Sequence, residues 1–201
     1  MSSSGYPLME DFYTIQGEGY NTGKAAYFLR LAGCDVGCVW CDVKESWSAE
    51  SHPSVEVDEM IRRITATGAD KVVITGGEPA MYDLTPLTNA LKKNNLLCYI
   101  ETSGAYELTG TWDWICVSPK KFKAPLPENL NKANELKVIV FNKSDFDWGE
   151  QNAKSVNKNC LLYLQPEYSV IDKILPTIIE YVKKNTRWRI SLQTHKVLGV
   201  P

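Results

Sequence analysis

The sequence predicts an α/β fold in which a parallel sheet forms an incomplete, open barrel. Short apolar segments with the character of buried strands recur along the chain, and helical segments separate several of them. Polar residues stand just after the carboxyl ends of these segments, which is typical of a barrel that carries its site on that face. With 201 residues, the chain is too short for eight complete strand and helix units. We therefore expect one open barrel domain over residues 1–201.

The first part of the chain alternates between apolar strands and polar connections. The predicted strands cover residues 8–13 and the apolar run 25–31, whose lone charge is Arg30. Residues 42–53 are polar and irregular. A helix over residues 55–67, ended by the glycine at position 68, is predicted by apolar residues at helical spacing, namely Val57, Met60, Ile61 and Ile64.

The second part continues the alternation. The predicted strands cover residues 71–75, 96–101, 114–117, 135–141, 161–164 and 188–192. One predicted helix covers residues 84–93. The longest covers residues 170–184, because Ile171, Ile174, Leu175, Ile178 and Tyr181 fall on one face.

Composition excludes several classes of protein. The net charge of −2 carries no basic excess of the kind that nucleic-acid binding uses. Residues 1–5 lack the basic and apolar regions of a signal peptide, and no apolar run approaches the roughly 20 residues of a membrane helix. The six cysteines are too few, and too unevenly spread, for a disulfide scaffold. We expect a cytoplasmic protein in a reducing compartment.

Cys34, Cys38 and Cys41 form the strongest chemical signal in the sequence. Thiolates at this spacing lie on one loop and can bind one soft metal centre. Zinc sites and ferredoxin clusters usually take four protein ligands, whereas three cysteines on a four-iron cluster leave one iron open. A zinc knuckle completed by a remote residue, or a chance cluster, remains the alternative at this point. The other three cysteines stand in or beside apolar runs, where free cysteine behaves as a small hydrophobe, namely Cys98, Cys116 and Cys160.

Three further features border the predicted strands. Residues 16–19 form a polar loop with two glycines, which allows close approach of a ligand or makes a plain turn. Arg30 in a buried strand needs a partner, which is a ligand carboxylate or a structural ion pair. The motif at residues 76–79 combines two glycines with Glu78, which can hold a cationic amine or a structural hydrogen bond.

Taken together, the cysteine loop, with Trp40 before its last cysteine, and the motif at residues 76–79 resemble the radical S-adenosylmethionine superfamily. The resemblance implies a 4Fe-4S cluster whose open iron binds S-adenosylmethionine, and reductive cleavage to a 5′-deoxyadenosyl radical. It also implies an open barrel of the superfamily's type.

Segments 12–19, 28–34, 40–42, 118–120 and 193–196 narrow the resemblance to the 7-carboxy-7-deazaguanine synthase family, over about residues 12–201. That family converts 6-carboxy-5,6,7,8-tetrahydropterin to 7-carboxy-7-deazaguanine and ammonia, a carbon–nitrogen lyase reaction of queuosine biosynthesis and hence of tRNA modification. The implied mechanism abstracts hydrogen from C6, contracts the ring and returns the hydrogen, so that S-adenosylmethionine acts catalytically. The implied partners are this pterin, an external electron donor such as a flavodoxin, and a second copy of the chain in a homodimer.

The resemblance also implies roles for individual residues. The implied cluster ligands are Cys34, Cys38 and Cys41. The implied S-adenosylmethionine contacts are Trp40, Cys41, Asp42, Gly77, Glu78, Ser118, Pro119, Lys120 and Gln165. The implied substrate contacts are Ile15, Gln16, Gly17, Arg30, Thr75 and Pro201. Glu101 and His195, at predicted strand ends, are candidates for proton transfer, with ordinary hydrogen-bonded rim residues as the alternative.

One position departs from the family pattern. Many members carry threonine or serine directly after the Cys-Asp pair, and that hydroxyl helps to bind Mg²⁺ beside the substrate. This chain has Val43, whose side chain offers no oxygen to a hard cation. The magnesium requirement therefore stays open, with substrate oxygens, water, a main-chain carbonyl or a lysine as substitutes; Lys44 is adjacent.

Two other functions compete with the deazaguanine lyase. A radical S-adenosylmethionine activating enzyme that acts on a protein glycyl residue shares the cluster motif. A non-catalytic iron–sulfur or zinc protein is the third interpretation.

Overall fold

The computed structural model describes residues 5–201, in which nine strands form one sheet in the order β3-β1-β2-β4-β5-β6-β7-β8-β9. The part of the signal-peptide interpretation that concerns residues 1–4 lies outside this range. The strands are β1 (Gly5–Ile15), β2 (Ala25–Leu31), β3 (Ser54–Glu56), β4 (Lys71–Gly76), β5 (Leu97–Thr102), β6 (Trp114–Val117), β7 (Glu135–Val140), β8 (Leu161–Pro166) and β9 (Trp188–Ile190). The helices are α1 (Val57–Ala66), α2 (Thr85–Lys93), α3 (Pro127–Lys132), α4 (Ser144–Ala153), α5 (Ile171–Lys184) and α6 (Thr194–Leu198).

The sheet confirms the open barrel. Strands β2 and β4 to β9 pair in parallel, each with the next along the sheet. Strand β1 pairs antiparallel with both β2 and β3, so β3 and β9 stand at opposite ends of the sheet within residues 5–201. Because seven strands run the same way, their carboxyl ends meet on one face.

Several elements differ from the sequence prediction. Strand β1 is longer than predicted, and β9 ends at Ile190 rather than Leu192. Strand β3 and the helices α3, α4 and α6 were not predicted. Helix α4 has weak periodicity because Gly149 replaces an apolar side chain where the helix meets Trp188. A Cβ at position 149 would lie 3.2 Å from that indole ring, so packing there favours glycine despite its low helix propensity.

The apolar core lies between the sheet and its helices in two clusters. The first gathers side chains such as Leu29, Ile74 and Ile100 against α1 and α2, and it includes Cys98. The second gathers Val138, Leu164 and Trp188 against α4 and α5, with Cys160 at its edge. Alternate residues of these strands point to the opposite face. Within residues 5–201, none of the helices combines the length and apolarity that crossing a membrane requires.

Candidate active site

A cavity of about 610 Å³ opens at the carboxyl ends of the strands. This volume suits a bound small molecule together with a cofactor. All but one of the predicted site residues line it, namely Ile15, Gln16, Gly17, Arg30, Cys34, Cys38, Trp40, Cys41, Asp42, Thr75, Gly77, Glu78, Glu101, Ser118, Lys120, Gln165, His195 and Pro201. The exception is Pro119, whose carbonyl instead accepts a hydrogen bond from the indole of Trp148 at 3.3 Å. The roles of these residues remain predictions.

Main-chain hydrogen bonds hold the cysteine loop. The N–H of Cys34 donates to the carbonyl of Trp47 at 3.1 Å, and the N–H of Cys41 donates to the carbonyl of Cys38 at 3.1 Å. Burial raises the pKa of both the Cys34 and the Cys38 thiols, and the neighbouring thiols raise them further. The three sulfur atoms therefore face the same space.

The donor set of this loop fits an iron–sulfur cluster. Each thiolate of a four-iron cluster binds a different iron, so the ligands must line one wall without meeting at a point. Among residues 5–201, no three cysteine, histidine or acidic side chains converge tightly enough for a single metal ion. The cavity beside the loop supplies space for a group larger than an ion.

The end of β4 passes directly beneath the cysteine loop. A Cβ on Gly77 would lie 2.4 Å from the carbonyl oxygen of Gly33 and 2.7 Å from the Cβ of Cys34. The N–H of Gly77 donates to the carbonyl of Leu31, and the N–H of Glu78 donates to that of Gly33 at 2.8 Å. Close backbone contact explains why glycine occupies this corner.

Glu78 is buried and all its acceptor positions are in use. Its Oε1 accepts hydrogen bonds from the N–H of Ala80 and the hydroxyl of Thr102. Its Oε2 accepts hydrogen bonds from the N–H of Ser103 at 2.7 Å and from the hydroxyl of the same residue. A carboxylate offers about four such positions. Glu78 thus joins the ends of β4 and β5, and its predicted contact with a cationic amine stays a prediction.

Lys137, on β7, is the functional residue that the sequence analysis missed. Its buried ammonium forms ion pairs with the carboxylates of Glu18 and, at 2.6 Å, of Glu101. Gln16 donates to the other oxygen of Glu101 at 2.9 Å, and Gln193 donates to Glu18 at 2.9 Å. Charged and apolar residues alternate at the start of the segment 135–140, and this pattern could have indicated Lys137 from the sequence. A lysine in a buried strand needs a carboxylate partner.

The charges in this network depend on each other. Burial raises the pKa of Glu18, but Lys137 and three hydrogen bonds outweigh burial and lower it to about 2. Burial lowers the pKa of Lys137, but Glu101 and Glu18 raise it well above its ordinary value. Burial also lowers the pKa of His195, which favours the neutral imidazole. The pKa values of Glu18 and Lys137 are thus shifted in the directions that keep this pair charged.

The glycine loop holds the C-terminal segment. The N–H and hydroxyl of Thr194 both donate to the carbonyl of Gly17, at 2.9 and 3.0 Å. A Cβ on Gly17 would lie 2.2 Å from Nδ1 of His195, so this glycine allows the imidazole to enter the cavity. His195 lies at the start of α6, where a strand end was predicted.

Arg30 lies at the edge of the cavity beside β1. Its Nε donates to Oε1 of Glu10 at 2.6 Å, and its side chain is 21% exposed. On the other side, Arg30 pairs in register with Thr75 of β4. Both predicted partners for Arg30 are compatible with this position, because Arg30 pairs with Glu10 and also lines the cavity.

Comparison with known proteins identifies close relatives. Residues 29–116 match the family model described as the Radical SAM superfamily. The chain is 56% identical over 195 residues to a 7-carboxy-7-deazaguanine synthase of Flavobacterium psychrophilum, covering 97% of this chain and 92% of that protein. The corresponding enzyme of Escherichia coli is 37% identical over 222 residues, covering 97% and 99%. A crystal structure of QueE from Escherichia coli matches with a TM-score of 0.84 and 38% identity over 95% of each chain.

The cysteine assignment can be tested by substitution. Alanine at position 34, 38 or 41 is expected to abolish cluster assembly, because each thiolate holds a separate iron. Cys98→Ala, a matched change in the apolar core, is expected to keep the cluster and to lower the free energy of unfolding by about 1 kcal/mol. Iron and sulfide content after anaerobic reconstitution, together with urea denaturation, measures both effects. A full cluster in Cys38→Ala would contradict the assignment.

The buried ion pairs predict a pH-dependent loss of stability in Lys137→Met. Removing one partner of a buried pair costs about 3–5 kcal/mol at neutral pH. In the natural protein the stabilisation from Glu18 is full above its unfolded pKa of about 4.5 and is lost as the pH falls through about 2. Without Lys137, burial raises the pKa of Glu18, so acidification protonates it and removes the penalty.

The difference between the two proteins should therefore shrink from pH 5 to pH 2, as measured by urea denaturation at each pH. Lys183→Met, which breaks an exposed pair with Glu180, serves as the control and should show no comparable trend. A Lys137→Met difference that stays constant over this pH range would argue against the pairing.

Proposed function

The chain belongs to the 7-carboxy-7-deazaguanine synthase family of radical S-adenosylmethionine enzymes, and we propose that the cavity at the strand ends is its active site. The enzyme is a lyase that converts 6-carboxy-5,6,7,8-tetrahydropterin to 7-carboxy-7-deazaguanine and ammonia, a step of queuosine biosynthesis. Its cofactors are a 4Fe-4S cluster and S-adenosylmethionine. The relatives do not favour the activating enzyme of a glycyl residue, since those cited carry the name of the synthase.

One observation carries the proposal for the site. Three free thiols, the glycine at position 77 and a set of acidic, basic and imidazole groups line one cavity. When bound, the cluster and S-adenosylmethionine supply the radical chemistry. The residues that would hold them are Cys34, Cys38, Cys41, Trp40, Asp42, Gly77, Glu78, Ser118, Pro119, Lys120 and Gln165.

The remaining polar groups suit a small heterocycle with a carboxylate. In the proposal, Arg30 binds the substrate carboxylate, and Ile15, Gln16, Gly17, Thr75 and Pro201 surround the ring. Glu101 is the candidate base, because its carboxyl group lines the cavity and pairs with Lys137 at 2.6 Å. His195 is the second candidate acid or base, and Gly17 makes room for its imidazole.

Several wider features belong to the proposal as well. The chain acts as a single domain over residues 1–201, in the cytoplasm, where a reducing environment keeps the cluster ligands as thiols. An external electron donor of the flavodoxin class supplies electrons, and the active form is a homodimer.

A substrate assay tests the proposed function. The reconstituted, reduced protein is incubated with S-adenosylmethionine and 6-carboxy-5,6,7,8-tetrahydropterin, and products are measured by mass spectrometry. We expect 7-carboxy-7-deazaguanine with no net consumption of S-adenosylmethionine. A fully assembled cluster without this product would contradict the assignment, and activation of a glycyl-radical protein would support the competing function.

The role of Arg30 can be separated from a structural one. Arg30→Lys keeps the charge but loses the planar, bidentate group, so substrate affinity should fall while S-adenosylmethionine affinity is unchanged. Glu10→Gln, which removes the partner seen in the structure, should leave substrate affinity largely intact. Isothermal titration measures both ligands. Equal loss of both affinities in Arg30→Lys, or a large fall in melting temperature, would show that the ion pair with Glu10 is its main role.

The magnesium response depends on Val43, which lines the cavity without an oxygen ligand. A hard octahedral cation held by few protein groups depends on each of them. We expect turnover of the natural protein to depend weakly on Mg²⁺, and Val43→Thr to increase that dependence. Magnesium titration of initial rates after chelator treatment measures it. A steep requirement in the natural protein, unchanged by Val43→Thr, would refute this expectation.

A further inference from the structure

Three neighbouring strands place a carboxyl group, a thiol and a second carboxyl group side by side on the sheet. Glu101 on β5 pairs in register with Cys116 on β6, which pairs with Glu135 on β7. Residues in register point to the same face of a sheet, and neighbouring strands lie about 4.8 Å apart. Cys116 therefore stands between two carboxyl groups. Cys116 is buried, as expected of a small hydrophobic residue, but unlike Cys98 it belongs to neither apolar cluster.

A second, small cavity lies below the large one and shares part of its wall. Its volume is about 10 Å³, which is close to the space that one buried water needs. Gln16, Glu18 and Glu101 line both cavities, while Cys116 and Glu135 line only the small one. Glu101 thus borders both the large cavity and a small chamber whose amide and carboxyl side chains can form hydrogen bonds with one water.

Glu135 lines this chamber, and one of its two carboxyl oxygens accepts no hydrogen bond from the residues that the structure describes. Its Oε2 accepts hydrogen bonds from the N–H of Tyr20 and the indole of Trp114, both at 3.2 Å. The side chain forms no other hydrogen bond with the described residues, so Oε1 has no protein donor among them. The residue as a whole is only 3% exposed. Gly19 packs against Oε1, because a Cβ at that position would overlap it. An acceptor oxygen without a protein donor is satisfied by a water or by a proton of its own.

We propose that Glu135 is a positioning residue that exchanges a proton with Glu101 through one water held in the small cavity. The proposal rests on the proposed function, because Glu101 contacts the substrate only if the large cavity is the active site. Glu101 would then transfer protons between the substrate and Glu135, which the substrate does not contact. Burial raises the pKa of Glu135, which eases its protonation and agrees with this role.

The proton transfers balance within the elimination of ammonia. Glu135 starts as the acid and passes its proton through the water to Glu101. As the carbon–nitrogen bond breaks with its electron pair on nitrogen, Glu101 gives this proton to the nitrogen. The carbon–hydrogen bond then breaks, its electron pair forms the new double bond, and its proton returns through Glu101 to Glu135. No external oxidant or reductant enters this step, and both carboxyl groups end as they began.

The titration of Glu135 depends on groups from every element around it. These are Lys137 on its own strand, Glu101 on β5, Trp114 and Cys116 on β6, Glu18 and Tyr20 from the glycine loop, and Cys160 before β8. Lys137 favours the carboxylate of Glu135, whereas Glu101 and burial favour the acid. A change at Glu135 should therefore appear in the pH dependence of turnover.

Two variants test the relay. Glu135→Gln keeps size and hydrogen bonding but carries no transferable proton, and Cys116→Val fills the chamber. Both should lower the rate of product formation by about tenfold to a hundredfold and remove one ionisation from its pH profile. Transfer of deuterium from C6 of labelled substrate into S-adenosylmethionine should continue, because it precedes the loss of ammonia. Cys98→Val, a matched change in the first apolar cluster and outside the chamber, should leave both readouts unchanged.

The outcomes separate this inference from the proposed function. If the natural protein transfers deuterium and forms product while Glu135→Gln keeps the natural rate and pH profile, the relay is wrong. Equal loss of deuterium transfer and product formation in Glu135→Gln would show a structural role and would also overturn it. If the natural protein shows neither reaction, the proposed function fails and the relay fails with it. Should Cys116→Val not fold, the isosteric Glu135→Gln decides alone.

Discussion

The ion pairs of Lys137 are the interaction on which the arrangement of the site depends. A buried ammonium is costly unless carboxylates surround it, and here they come from distant parts of the chain. Glu18 belongs to the loop after β1 and Glu101 to the end of β5, while Lys137 itself lies on β7. Through Gln193, the network also reaches the C-terminal segment. One lysine thus joins three regions of the barrel around the same cavity, and it lowers the pKa of Glu18.

The second constraint is the close packing of backbone segments against each other beside the proposed cofactor site. Gly77 passes beneath Gly33 and Cys34 at distances that exclude any side chain. On the opposite wall, Gly17 gives way to His195. The glycines therefore explain how two short loops reach the same space. They also explain why polar residues far apart in sequence act together here, while the apolar residues between them form the outer core.

The sequence predicted the fold class and the cavity lining more successfully than the contacts within the site. Most of the strands from β4 to β8 are mainly apolar, and the cysteine spacing is specific, so both were accessible to sequence analysis. Helix α4 was missed because Gly149 hides its periodicity, and α6 because it has only 5 residues, too few to show a helical pattern. Lys137 and Glu135 were missed for another reason. Their partners come from other strands, and only the register of the sheet brings them together.

The central claim is that one cavity brings the thiols of the cysteine loop and the Lys137 network to opposite sides of a single substrate. A crystal structure of the complete protein with its cluster, S-adenosylmethionine and 6-carboxy-5,6,7,8-tetrahydropterin tests it most directly. The account predicts that the pterin lies between the cysteine loop and Glu101, with its carboxylate at Arg30. A pterin bound outside this cavity, or one whose ring makes no contact with Gln16, Glu101 or His195, would contradict it.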